Sequence, residues 1–231
     1  GARLLVSGSA ALPVRVFDAL GRLTGIAPVE RYGMSETLIT LSTRADGERR
    51  PGWVGQPLPG VQTRLRDEHG VEVAADGESI GGLQVRTPTM FDGYLGRPEA
   101  TAAAWTDDGW FATGDVAVID RGGFHRIVGR ESTDLIKSGG YRIGAGEVEA
   151  ALLNHPAVSE AAVVGEADED LGQRLVAYVV GEGLAAVDLS AFVAEQLSAH
   201  KRPRDVRVVS ELPRNAMGKV QKKHLGGRVD G

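Results

Sequence analysis

The hydrophobic periodicity of this chain changes twice, near residues 50 and 130, and these changes restrict its possible folds more than any single motif does. Before residue 50, the apolar run Leu4-Leu5-Val6 ends in Ser7-Gly8-Ser9. Val16, Phe17, Leu20 and Leu23 then follow at helical spacing, with Pro13 near the start and Gly25 past the end. A further strand is predicted near Val29, and strand, helix and strand together point to a parallel α/β sheet. From about residue 50 the segments "VQTRLRD", "GGLQVRT", "DVAVID" and "GFHRIVGR" alternate with a period of two between glycines and prolines, which predicts a small antiparallel β-subdomain. After Arg130, "GEVEAALLNHP" reads as a helix stopped by Pro156, and "EAAVVGE" and "RLVAYVVG" read as strands. "LSAFVAEQLSAH" puts Leu189, Phe192, Val193 and Leu197 on one helical face, and "RDVRVVSEL" is another strand. This third region is expected to be a compact α+β domain, with its boundary inside "VGRESTDLIKSGG".

The chain has 231 residues, room for one large or two smaller domains. Its net charge of -5 comes from 26 basic and 31 acidic residues and argues against a general nucleic-acid binder. No apolar run is long enough to span a bilayer, and no signal-peptide pattern opens the chain. Small molecules are therefore the expected partners, without nucleic acid or membrane, and the cytoplasm is the expected compartment. With no cysteine there is no disulfide, thiol nucleophile or cysteine-held metal, and the five histidines lack zinc-ligand spacing. The opening "RLLVSGSAAL" after Gly1 reads like the middle of a larger domain, so upstream sequence is expected.

Four polar clusters stand out. "ERYGMSET" combines acids, a base, an aromatic, a glycine and hydroxyls; it is either a surface turn or a loop assembled for chemistry. In "GWFATGD", Asp115 follows Thr113-Gly114 just ahead of a strand, where a carboxylate can accept two hydrogen bonds from a ribose diol or cap its own turn. Arg130 ends a strand and suits a ribose or phosphate as a rigid multi-donor fork, or is simply solvated. Gly139-Gly140 is a hinge, a point of ligand approach or a tight turn. Lys219 follows Gly218; its ammonium suits a developing negative charge, while a bare basic run would be a solvated face.

In order and spacing these clusters resemble the adenylate-forming superfamily of acyl-CoA synthetases, peptide-synthetase adenylation domains and luciferases. "RYGMSET" resembles its YGxTE segment, with Ser35 in place of Thr, and "ATGD" its TGD segment. "GRESTDLIKSGGYRIGAGEVE" and "PRNAMGKVQKKHL" resemble its later GR…D…IK and GK segments. The resemblance implies the C-terminal part of a large N-domain over residues 1–130, an α/β sheet plus a β-subdomain at about 50–130. A mobile α+β C-terminal lid domain would follow over residues 131–231. It also implies ATP, Mg²⁺ and coenzyme A. Glu36 would hold Mg²⁺, and Ser35 would bond the α-phosphate. Ser9, Tyr32 and Gly33 would line the nucleotide site, with Asp115 and Arg130 on the ribose. Lys219 would bridge carboxylate and α-phosphate, and Gly139 and Gly140 would meet the pantetheine of CoA. The hinge would fall at Ser132 or Thr133, in a stretch that looks slightly longer than in relatives.

The phrases "ERYGMSET" and "LPRNAMGKVQKK" are most similar to malonyl-CoA synthetases, which implies malonate, with methylmalonate as a second candidate, as substrate. Arg31 and Met34 would then face the acyl group, with Arg31 on its distal carboxylate. Pairing of Arg31 with Glu30 or another acid is the competing expectation. Competing functions are a synthetase for another short or medium carboxylate, a peptide-synthetase adenylation domain and a non-catalytic nucleotide-binding fragment.

Overall fold

In the computed structural model, which describes residues 1–184, 187–216 and 218–225, the chain opens with β1 (Val6–Ser7), α1 (Val14–Thr24) and β2 (Val29–Met34). β1 and β2 are parallel, with Val6 opposite Val29, so the strand–helix–strand unit expected from the periodicity is present. The helix ends where Gly25 turns left-handed, at φ 71°. Among the described residues its apolar stripe reaches a core only at Phe17, and Leu23 stays 84% exposed. β3 (Leu38–Ser42) runs antiparallel to β2, and β4 (Gln56–Pro57) completes a sheet of order β1-β2-β3-β4.

A second sheet joins β5 (Gln62–Arg66), β6 (Gly81–Arg86), β7 (Phe111–Ile119) and β8 (His125–Arg130) in that order, with α2 (Pro98–Ala103) inserted before β7. The period-two reading of this region holds. In β6, Gly81, Leu83 and Val85 are buried and alternate with less buried residues. Leu41 of the first sheet packs with Leu65, Leu83, Val85 and Ala117 of the second, and Tyr32, Val54 and Ile127 lie against that core. Each fully buried Leu or Val contributes about 1.5–3 kcal/mol.

The chain divides into two compact units, Gly1–Ile127 and Val128–Gly231. The second unit contains α3 (Glu131–Asp134), β9 (Leu135–Ser138), β10 (Tyr141–Gly144), α4 (Ala145–Leu153), β11 (Val158–Asp168), β12 (Gly172–Gly181), α5 (Leu189–Ala194) and β13 (Asp205–Val208). The strand order is β10-β9-β12-β11, with β13 parallel to β12. Val163, Leu175, Ala177 and Val179 share one core with α4 and α5. Ala162, Val164, Val176 and Tyr178 share another with Leu212, Val220 and Leu225. Both faces of β11 and β12 are thus covered, which is why they read as continuous apolar runs. α5 stops at Ala194, sooner than its apolar spacing suggests. The chain goes on in turns, with the Leu197 N–H donating to the Val193 carbonyl at 2.9 Å, and Leu197 still packs on the core.

Candidate functional site

Successive side chains of a strand point to opposite faces, so Glu30 and Arg31, neighbours in β2, diverge. Glu30 is 4% exposed, and its Oε1 accepts the Gly52 N–H at 2.7 Å. Burial pushes its carboxyl up to about 7, against the opposing pull of that hydrogen bond. Arg31 is half-buried and enters no ion pair among the described residues, and its Nε is buried without a hydrogen-bond partner. The expected alternative, an Arg31–Glu30 pair, is therefore absent, for a reason built into strand geometry.

Arg31 lines a cleft of about 230 Å³ together with Gly8, Tyr32, Met34, Leu38 and Ile39. A larger hollow of about 820 Å³, lined by Leu4, Val29, Arg44 and Asp46, also reaches it. The Arg31 side chain lies across the backbone of Gly8. A Cβ on Gly8 would stand 2.6 Å from Arg31 Cγ and 2.8 Å from its Nε, so only glycine leaves this arginine where it is. Ser9 follows in the same loop and is exposed.

The Tyr32 hydroxyl donates to Asp115 Oδ2 at 2.5 Å, tying the two sheets together at the site. Asp115 is not ahead of a strand or in a turn, as the sequence suggested. It lies inside β7 and is 6% exposed. The pairing of β6 with β7 shifts register between Gly82 and Gln84, and Gly114 sits there at φ 71°. This bulge interrupts the alternation and hides the strand's true start at Phe111. Thr113 Oγ1 accepts the Asp115 N–H at 3.1 Å and donates to the Leu83 carbonyl at 2.8 Å, fixing the carboxylate's backbone.

At the end of β2, Gly33 packs backbone to backbone on Leu38, Met34 is half-buried and Ser35 is exposed in the turn. Glu36 is half-buried. Its Oε1 accepts from the Tyr94 hydroxyl at 2.9 Å, and its carbonyl accepts the Phe91 N–H at 2.9 Å. The Phe91 and Tyr94 rings meet edge-on, 4.9 Å apart. Sequence reasoning singled out neither of these aromatics, nor Leu38 and Ile39 in the cleft. The available signal was an apolar pair directly after a polar cluster. Leu38 also adopts φ 55°, which is uncommon for a leucine.

The remaining predicted residues belong to the second unit. Arg130 is exposed at the end of β8, and its N–H donates to Asp134 Oδ2 at 2.8 Å. Ser132 and Thr133 are exposed on the short helix α3. Gly139 and Gly140, at φ 56° and 82°, form the two-residue turn between β9 and β10, with Ser138 opposite Tyr141. Two successive positive φ angles mark a turn of the primed type that glycine accommodates without strain. Lys219 is exposed, its N–H donating to Asn215 Oδ1 and its carbonyl accepting the Asn215 N–H, each at 2.9 Å. Backbone bonds thus hold its turn, and its ammonium enters no ion pair among the described residues. Among the described residues no helix is long and apolar enough to cross a membrane, and no group of three or more acidic, histidine or cysteine side chains is set to hold a metal.

A family model of AMP-binding enzymes matches residues 1–95, and a model of the AMP-binding enzyme C-terminal domain matches residues 147–219. The human mitochondrial malonate–CoA ligase ACSF3 is 42% identical over 96% of this chain, which covers 42% of that enzyme. ATP-bound MatB of Rhodopseudomonas palustris is 41% identical and superposes with a TM-score of 0.84, over 96% of this chain and 44% of that one. A malonyl-CoA ligase in a ternary product complex with methylmalonyl-CoA and AMP is 58% identical over 93% of this chain and 46% of its own, with a TM-score of 0.54. The chain thus spans about two fifths of the length of the curated relatives it matches. The two family matches, the mixed-sheet fold shared with these structures and the ordered motifs agree: the chain belongs to the adenylate-forming AMP-binding enzymes.

Proposed function

We propose that the chain serves an ATP-dependent acid–thiol ligase that converts malonate, and methylmalonate as a close analogue, to the CoA thioester. The observation that carries this reading is Arg31, a half-buried guanidinium in a cleft, with a buried Nε that finds no hydrogen-bond partner among the described residues. A monocarboxylate offers this cation nothing once its one carboxylate is adenylated. A dicarboxylate offers a second carboxylate, which arginine binds with charge-assisted hydrogen bonds. The names of the relatives point the same way.

In this reading one malonate carboxylate attacks the α-phosphate of ATP and pyrophosphate leaves. The CoA thiolate then attacks the acyl-adenylate carbonyl and AMP leaves. Asp115 accepts from the ribose hydroxyls, and Tyr32, fixed by its bond to Asp115, offers its ring to the adenine alongside Ser9 and Gly33. Ser35 donates to the α-phosphate and Arg130 assists at the ribose. Lys219 balances the charge that builds between carboxylate and phosphate. Met34 bounds the acyl group. Gly139 and Gly140 offer a side-chain-free turn to pantetheine, and the lid turns near Ser132 and Thr133. Glu36 has one carboxylate oxygen held by Tyr94 and the other free of partners among the described residues. This fits a Mg²⁺ carried on the nucleotide, which keeps most of its waters and takes one or two carboxylates. Such an ion would neutralise phosphate charge. A cytoplasmic setting, where ATP and CoA are at hand, is part of the proposal.

The test is ATP–pyrophosphate exchange without CoA, in the complete gene product, with malonate, acetate, butyrate and benzoate compared. Exchange driven by malonate alone is expected. Exchange driven equally by acetate would keep the adenylation chemistry and remove malonate, and silence with every acid would remove the reaction itself.

A further inference from the structure

Three residues after Lys219 stands a second lysine whose surroundings are quite different. The Lys222 side chain is 17% exposed, and its Nζ lies 2.5 Å from Asp134 Oδ1 and 2.6 Å from Glu149 Oε1. Each acid is itself held by backbone. Asp134 Oδ2 accepts the Arg130 N–H, and Glu149 Oε1 accepts the Val163 N–H of the edge strand β11, each at 2.8 Å. Burial disfavours the ammonium, but Glu149 and Asp134 outweigh it and hold Lys222 above the ordinary lysine value. One side chain therefore joins the C-terminal segment, the end of α3 and the middle of α4.

The same segment is laid on the sheet by Leu212, Val220 and Leu225. Its turn is closed by the Gln221 N–H on the Pro213 carbonyl at 2.7 Å, and Arg214 pairs with Glu160. Apolar contact is non-directional and would tolerate a small slide of the segment along the sheet. A lysine held by two carboxylates, each oriented by a backbone N–H, would not. Burying such a trio is a poor route to stability alone, because desolvation offsets most of its attraction; fixing register is the use that remains.

We propose that Lys222 is a positioning residue. It clasps the turn bearing Lys219 to Asp134 and Glu149, so that this turn, the end of α3 at Asp134 and α4 move as one rigid piece, beyond the hinge residues Ser132 and Thr133. The inference rests on the reading of Lys219 as the lysine of the adenylation step.

The experiment uses the complete gene product with Lys222→Met and Lys222→Arg. Pyrophosphate exchange and thioester formation from a supplied acyl-adenylate and CoA are measured separately, alongside amide hydrogen exchange. Lys222→Met should lower kcat of pyrophosphate exchange about 10–100-fold, as expected when a catalytic group loses its aim. KM for ATP and malonate should stay within about threefold, and so should the CoA step, since only interactions specific to the adenylation transition state are lost. Amides of residues 214–216 and 218–221 should exchange faster while those of β11 and β12 stay protected. Lys222→Arg, which can still reach both carboxylates, should recover most of the rate. Unchanged exchange kinetics would overturn the proposal, as would an equal fall of both half-reactions with general loss of protection. If Lys222→Met does not fold, Glu149→Gln is read in the same way. If the wild type shows no pyrophosphate exchange with any acid, the adenylation reading fails, and amide exchange alone decides whether the clasp holds the turn.

Discussion

Arg31 and Lys222 are both cations drawn largely out of water, one in each unit, and their surroundings are opposite. Lys222 meets two carboxylates at 2.5 and 2.6 Å. Arg31 meets none among the described residues, where its Nε is buried with no partner. A buried charge with its partners inside the fold can fasten one segment to another. A buried donor without a partner costs stability and is retained only where something else benefits. In the proposed function Arg31 is a receptor for an anion, whereas Lys222 fastens one segment of the second unit to another.

The contrast can be broken most forcefully in stability. Lys222→Met should cost the second unit about 2–4 kcal/mol in denaturant unfolding, because it leaves two carboxylates close together and unpaired. Arg31→Met should leave the stability of the first unit unchanged or raised by up to about 1 kcal/mol, since it removes an unsatisfied donor. Equal losses at both positions would erase the distinction between fastener and receptor.

Glu30 sharpens the contrast from the other side of β2. Its folded pKa, pushed up to about 7 chiefly by burial, exceeds the ordinary value of 4.5. Between those values the unfolded chain has released the proton and the folded chain keeps it. Stability from this group is therefore full below pH 4.5, falls as pH rises towards about 7 and is flat above that. The fall should amount to about 1–3 kcal/mol, and Glu30→Gln should abolish it in unfolding curves taken across that range. Had Glu30 been paired with Arg31, the slope would run the other way.

Gly8→Ala is a gentler probe. The new methyl would stand where Arg31 now lies. The malonate KM should rise about three- to tenfold as the guanidinium is displaced, with the ATP KM unchanged. The smallest effect belongs to Leu38, whose φ of 55° strains a leucine. Leu38→Asn should stabilise the first unit by about 0.5–1 kcal/mol in thermal unfolding, because asparagine tolerates the left-handed region better.

Much of the fold was legible because burial leaves a period. Alternation marked β5, β6 and β8, and the spacing around Phe17 marked α1. The features that escaped are those where the chain leaves its period. The bulge at Gly114 made Asp115 look like a turn residue. The left-handed Leu38 carries no compositional sign, because that conformation is normally flagged by glycine or asparagine. At the site, the residue types of "ERYGMSET" were visible at once, but which acid Arg31 would meet was not. The two-residue period of a strand answers that for Glu30, yet Tyr94 reaching Glu36 across 58 residues is set by folding alone. The same holds for Lys222, which read as one of several basic residues in a tail until Asp134 and Glu149 were seen around it.

The most direct measurement is kcat/KM for malonate and for acetate, in the complete gene product, with the wild type and Arg31→Ala compared. A receptor role for Arg31 predicts a strong wild-type preference for malonate. The variant should lose about 10–100-fold on malonate, the worth of a charge-assisted pair, while its acetate value hardly moves. A variant that keeps the malonate preference, or that loses both acids equally, would contradict it.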